Sequence, residues 1–185
     1  DPETTPTVLD ILKEKGVKST FFLIGEGMQE HPMIVKRIYD EGHTIGNHSF
    51  THPDLSRVGT TRLDLELTST ERMLESLIGH KTILFRPPYA EDIEPEIPSQ
   101  VTPLVNARRL GYLTVGMKID PNDWANPGTD TIITRTLEQI SLGHGNIILL
   151  HDGGGDRSQT LAALPKLIDA LTASGYTIVP LESLI

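Results

Sequence analysis

Thr44-Ile45-Gly46-Asn47-His48-Ser49-Phe50-Thr51-His52-Pro53 runs from a short strand straight into a polar cluster that holds two histidines. The same change recurs further along the chain. Residues 82–85 read as a strand and lead into Arg86-Pro87-Pro88-Tyr89. A strand at 112–115 precedes Asp120-Pro121-Asn122-Asp123-Trp124, and an apolar strand at 146–150 runs into His151-Asp152-Gly153. Carboxyl ends of parallel strands converge on one face of an α/β fold, where such folds carry their chemistry. Histidines, an arginine and aspartates gathered there predict metal-assisted hydrolysis.

Working outward, Thr5-Pro6 starts a helix as N-cap and first residue, Val8, Leu9, Ile11 and Leu12 follow at helical spacing, and Gly16 stops it. Residues 19–24 are β-branched and aromatic and read as a buried strand. Helices are predicted over 32–41, 61–78, 103–110, 130–140 and 159–174. The segment 61–78 has the clearest pattern, with Leu63, Leu67, Met73, Leu74 and Leu77 at mixed three- and four-residue spacing. Residues 91–98, with four acidic side chains and two prolines, read as an exposed loop. A last strand falls at 176–180 and a turn at 181–185. Six strands alternating with six helices, beginning on a helix, imply right-handed crossovers and a parallel sheet. Clusters after four different strands favour a closed or nearly closed barrel over an open sheet with one switch point.

The 185 residues, 37% of them hydrophobic, are enough for one domain spanning 1–185 with a sizeable core. A formal charge of −9 argues against nucleic acid or anionic lipid as the main partner. The absence of cysteine excludes disulfides and thiolate metal sites. No apolar run approaches the roughly 18–20 residues of a membrane span.

Each cluster has a functional and a bland reading. His48 and His52 stand four apart, which on a turn puts two imidazoles on one side as part of a zinc-type site; the alternative is a packing pair at a strand exit. Arg86 sits on a backbone stiffened by Pro87 and Pro88, and Tyr89 is the first residue after it with an N–H to offer an oxyanion. The alternative is a surface arginine in a proline turn. Asp123 suits a partner that fixes a histidine's tautomer, and Trp124, the only tryptophan, suits a stacking surface for sugar rings. His151 beside Asp152 fits a general acid. Gly153–Gly155 resembles a phosphate cradle only superficially, because Asp152 and Asp156 flank it and only Arg157 is basic nearby. His31, His43, His80 and His144 read as structural or surface residues.

The order His48-Ser49-x-x-His52-Pro53, Arg86-Pro87-Pro88-Tyr89, Asp120-x-x-Asp123-Trp124 and Leu149-x-His151-Asp152 resembles the polysaccharide deacetylase family, the NodB homology domain of carbohydrate esterase family 4. The resemblance implies a distorted (β/α) barrel and removal of acetyl groups from N-acetylated or O-acetylated polysaccharide or oligosaccharide. It implies that His48 and His52 bind a divalent metal, commonly zinc, with cobalt, nickel or manganese as options. Arg86 would orient the catalytic base, the Tyr89 N–H would hold the oxyanion, Asp123 would tune His151 as general acid, and Trp124 and Leu149 would shape the acetyl pocket and groove.

The family's Asp-Asp-Gly motif, which supplies the base and a third metal ligand, belongs upstream of the first helix, where this chain begins at Asp1-Pro2-Glu3. The expectation is a domain lacking its first strand, impaired in metal binding and turnover, with a sheet edge beside 19–24 open to self-association. A noncatalytic glycan-binding module on the same fold is the alternative. Residues 118–128 and 151–160, with the acidic loop after Tyr89, resemble deacetylase domains fused to membrane glycosyltransferases, which implies a longer protein working outside the cell or on the outer face of its membrane.

Overall fold

The computed structural model describes residues 1–90 and 97–185. Most of the predicted acidic loop at 91–98 therefore lies outside the described residues; its last two, Ile97 and Pro98, are described. The chain forms two compact units, one of Asp1–Ser19 with Met117–Ile185, the other of Thr20–Gly116. No helix among the described residues is long and apolar enough to cross a membrane.

The unit 20–116 is an α/β layer built on a parallel sheet in the order β1 (Thr20–Leu23), β2 (Thr44–Asn47), β3 (Leu84–Phe85), β4 (Leu113–Thr114). Strand pairing runs from Thr20 opposite Thr44 to Leu23 opposite Asn47, then Asn47 opposite Phe85 and Phe85 opposite Thr114. Helices α2 (Gly25–Glu30), α3 (Pro32–Asp40), α4 (Thr60–Ile78) and α5 (Pro98–Arg109) join the strands. The periodic leucines of α4 turn inward as predicted: Leu63, Leu67 and Leu74 are buried, and Gly79 ends the helix in the left-handed region. Leu63 and Leu67 pack with Leu55, Phe85, Ala107 and Tyr112 into one apolar cluster.

In the other unit, α1 (Thr5–Lys15) and α6 (Thr129–Ser141) each pack against α7 (Ser158–Ala173), and Leu9, Leu12, Ile132, Ala163 and Leu167 are buried. Thr5 is not the N-cap. Thr4 precedes the helix, and the Thr5 hydroxyl donates instead to Asp152 Oδ2 at 2.8 Å.

Several expected boundaries shift for identifiable reasons. Helix α2 was not expected, because Gly25-Glu26-Gly27 reads as a loop; Gly25 is required there, since a Cβ would lie 2.1 Å from the Phe50 ring. Helix α5 starts at Pro98 rather than 103, with Gln100 Oε1 accepting from the Ile97 N–H and Pro103 accommodated inside the helix. The strand at 82–85 shrinks to Leu84–Phe85 because side chains take its first amides: Thr82 N donates to Glu71, and Leu84 N to the Thr82 hydroxyl. The strand at 112–115 shortens to Leu113–Thr114. The strand at 146–150 reduces to a parallel bridge between Ile148 and Ile119. No strand forms at 176–180, where Tyr176 spends its N–H on Leu171 O at the end of α7. Four strands and seven α-helices therefore stand among the described residues in place of six and six.

Leu67 tests the apolar cluster. Leu67→Ala is expected to lower unfolding stability by about 2–5 kcal/mol, whereas Val105→Ala, at an exposed position, should stay within about 0.5 kcal/mol. Urea denaturation measures both, and equal effects would remove Leu67 from the core.

Candidate active site

The parallel ladder of the unit 20–116 places the first two clusters side by side. Arg86 N donates to Asn47 O at 3.0 Å, so the residues after β2 and β3 emerge together. His48 Nδ1 lies 2.7 Å from Arg86 O. A carbonyl only accepts, so Nδ1 carries the proton and the lone pair is on Nε2, the tautomer that metal-binding histidines adopt when the other nitrogen is held this way. The His48 and His52 rings meet edge to face with centroids 4.9 Å apart, and the Tyr89 ring stands 5.0 Å from that of His52. Arg86 is buried, with one Nη donating to Val115 O at 3.4 Å, which rules out the surface-arginine reading. Tyr89 is 66% exposed and has φ 58°.

The segment between the two histidines is not a helical turn but a loop with Ser49 (φ 66°) and His52 (φ 56°) in the left-handed region. It is fastened from three sides. Gly25 N and Glu26 N at the start of α2 donate to Ser49 O and Phe50 O, each at 3.0 Å. Asn47 Oδ1 accepts from Ser49 N, and Ser49 Oγ accepts from His52 N. Glu66 on α4 accepts from Phe50 N, Thr51 N and the Thr51 hydroxyl at 2.7–2.8 Å, and pairs with Arg62. Burial drives the Glu66 carboxyl up, but the Thr51, Arg62 and Phe50 bonds outweigh it and hold it below the usual range. Asn47 Nδ2 donates to Tyr112 Oη, which donates on to Glu71. Burial, then the Glu71 charge, push the Tyr112 hydroxyl up, so it stays neutral in this chain of bonds.

In the other unit, Asp123 is fully buried. Its Oδ1 stands 2.8 Å from His151 Nδ1, and its Oδ2 accepts from His151 N at 2.9 Å and from the Thr160 hydroxyl at 2.8 Å. The carboxylate therefore fixes His151 as the Nδ1–H tautomer with Nε2 directed away from it, and the His151 side chain is 35% exposed. Burial alone would raise the Asp123 carboxyl; the His151 bonds and charge and the Thr160 bond bring it below its ordinary value. Trp124 is half exposed on a short 3-10 turn, Asp123–Ala125, flanked by Asn122 and Asn126 in the left-handed region. Leu149 is half-buried and held through its N–H to Ile119 O. Asp120 Oδ1 serves its own turn, accepting from Asn122 N. Arg157 is buried, and its guanidinium is consumed by the carbonyls of Gly153, Gly154, Trp124 and Asp156, so it offers nothing to a phosphate.

The donor chemistry of His48 and His52 fits a divalent ion of the zinc type, which takes neutral imidazole nitrogens. They would supply two ligands. Among the described residues no group of three or more His, Cys, Asp or Glu side chains is arranged to hold a metal. The four remaining histidines are structural or surface as expected: His43 is buried edge-on to Phe21, His80 lies against Tyr39, His31 is near Glu30, and His144 is exposed. Sequence reasoning missed Glu66, Asn47 and Thr160. Glu66 had a signal, a carboxylate on the same inward stripe as Leu63, Leu67 and Leu74. Thr160 had none, because only the packing of α7 brings it to Asp123.

The depressed Asp123 carboxyl has a pH consequence. A folded value below the unfolded one, about 3.9, means its stabilisation is full above that value and is lost as pH falls through the folded value. Thermal melts between pH 6 and pH 3 should show the unit losing stability below about pH 4. Asp123→Asn should flatten that part of the curve, and an unchanged slope would contradict the assignment.

Residues 1–114 match the polysaccharide deacetylase family. The whole chain is 38% identical over 189 residues to a peptidoglycan-N-acetylglucosamine deacetylase of Bacillus cereus, covering 83% of it. A second such deacetylase of B. cereus is 37% identical, and the chain spans 64% of its length. A chitooligosaccharide deacetylase of Azorhizobium caulinodans is 35% identical over 97% of the chain and 87% of its own length. Among solved structures, a peptidoglycan N-acetylglucosamine deacetylase in complex with 4-naphthalen-1-yl-N-oxidanyl-benzamide superposes with TM-score 0.85 at 36% identity, over 98% of this chain and 81% of that one. A CE4 family pseudoenzyme from Bacillus anthracis superposes with TM-score 0.83 at 30% identity, over 97% and 59%. With the family match covering more than half of its residues and parallel α/β architecture in common with these structures, the chain belongs to the polysaccharide deacetylase family.

Proposed function

We propose that the chain is the deacetylase domain of an enzyme that hydrolyses the acetamide of N-acetylated polysaccharide, N-acetylglucosamine polymers in the first place. The buried Asp123 carboxylate behind a half-exposed His151 carries this reading, because that pairing takes up Nδ1–H and leaves Nε2 as the nitrogen that holds a transferable proton when the ring is charged. The names of the relatives, deacetylases of peptidoglycan and of chitooligosaccharide, support the substrate class.

His48 and His52 would hold a divalent metal, most naturally zinc, which when bound polarises the acetyl carbonyl and makes water a better nucleophile. The chain's own residues do the rest. As the C–N bond breaks, the charged His151 ring gives its Nε2 proton to the departing amine and is left as the neutral Nδ1–H form that Asp123 holds. The Tyr89 N–H donates to the oxygen on which charge develops. The stiff Arg86-Pro87-Pro88 run fixes the position of that N–H. Trp124, half exposed, offers a face for a sugar ring. The proton lost by water needs a carboxylate base and the metal a third ligand, and Arg86 would orient such a base. Such polymers lie outside the membrane, which is where the domain would work.

A noncatalytic glycan-binding role is the second reading. It is favoured by the lack of a three-ligand group among the described residues and by the likeness to a pseudoenzyme.

Acetate release from N-acetylglucosamine oligomers with zinc or cobalt decides between them. Release by the protein should be sensitive to chelators. His151→Ala should lower kcat by about 10²–10⁴-fold. Binding of the oligomers near Trp124 with no release from any acetylated sugar would favour the second reading.

A further inference from the structure

Glu66 has no role in the chemistry above, yet it is among the most heavily bonded side chains of its unit. It is 2% exposed and lies on the inward stripe of α4, between Leu63 and Leu67. A carboxylate in that position is costly to bury unless its oxygens are satisfied. Here every partner but one lies in the loop that carries the histidines. Oε2 accepts from two successive backbone N–H groups, Phe50 at 2.8 Å and Thr51 at 2.7 Å, and Oε1 accepts from the Thr51 hydroxyl at 2.8 Å. The exception is Arg62, one helical turn earlier, whose Nε reaches Oε1 at 2.8 Å and whose Nη2 also donates to the Thr51 hydroxyl at 3.1 Å.

The loop needs such an anchor. Ser49 and His52 both sit in the left-handed region, which is unfavourable for a non-glycine residue. Left alone, the segment would relax to cheaper conformations and the two imidazoles would part. Two consecutive N–H groups aimed at one carboxylate oxygen define the path of the backbone between the two strained residues. The anchor is specific to an ionised carboxylate: an amide in its place would turn an NH2 group towards either the N–H pair or the guanidinium.

We infer that Glu66 is a positioning residue for the metal-binding pair, holding residues 50 and 51 so that His48 and His52 converge. This rests on the reading of the two histidines as metal ligands. Arg62 is its outer counter-ion, reached from the solvent side, with its side chain 55% exposed.

The test is cobalt titration of the chain, followed by the visible absorption of the bound ion, with amide exchange at Phe50 and Thr51 recorded without metal. The variants are Glu66→Gln, His52→Ala and Leu74→Ala, the last a core truncation two turns further along α4. Glu66→Gln should speed exchange at both amides and weaken cobalt binding by about tenfold or more, the size typical of outer-shell partners. Leu74→Ala should lower stability while leaving cobalt affinity within about twofold, because general loosening does not part the histidines. If Glu66→Gln does not fold, Glu66→Asp carries the same test, since the shorter side chain cannot reach both amides. Unchanged cobalt affinity and spectrum in the Glu66 variant would overturn the inference while leaving the metal reading intact. A wild-type chain that takes up no cobalt, or takes it up equally well after His52→Ala, would overturn both.

Discussion

The parallel pairing of β2 with β3 is the constraint on which the unit 20–116 depends. One bond, Arg86 N to Asn47 O, sets the two strand ends level. The next residue on one side is then His48 and the carbonyl it meets is that of Arg86. The tautomer of a candidate metal ligand is thus decided by sheet register. A slip of one residue would send every side chain to the opposite face and leave His48 without that carbonyl. The same register buries Asn47, which ties the sheet to α4 through Leu67 O and to Tyr112.

Both units use a buried carboxylate to organise a histidine segment. Asp123 does it directly, meeting the ring and the backbone N–H of His151 with a hydroxyl as third partner. Glu66 does it at one remove, through backbone amides and the Thr51 hydroxyl. In each case burial opposes ionisation and the bonds restore it. Such an ion is poor evidence for stability but good evidence for a fixed geometry, because few arrangements can satisfy it.

How legible this was from sequence differed from element to element. Helices α4, α6 and α7 were plain, since a long amphipathic pattern specifies a helix without knowledge of its neighbours. The strands were only half legible. A strand is a statement about a partner, and 176–180 is apolar enough yet spends its first amide on a helix end. Helix α2 was hidden because Gly25 answers to Phe50, a residue well downstream in sequence. The catalytic candidates were readable because polar residues after apolar runs betray strand ends. What held them was not, with the exception of Glu66, whose charge breaks the apolar stripe of α4. Thr160 and the carbonyl-bound guanidinium of Arg157 depend on tertiary packing that no local pattern encodes.

Among the described residues, the non-glycine residues with left-handed backbone are Ser49, His52, Tyr89, Asn122 and Asn126, and each lies in or beside a polar cluster. The energy of the fold is therefore spread unevenly, with relaxed helices carrying loops that are individually uphill. Selection for heat resistance alone would find these positions first, because a glycine at any of them relieves torsion. It would also remove the very side chains, or the stiffness, that give the clusters their shape. A thermostable descendant that kept all five would have found its stability in the helices, and one that replaced them would have exchanged recognition for robustness.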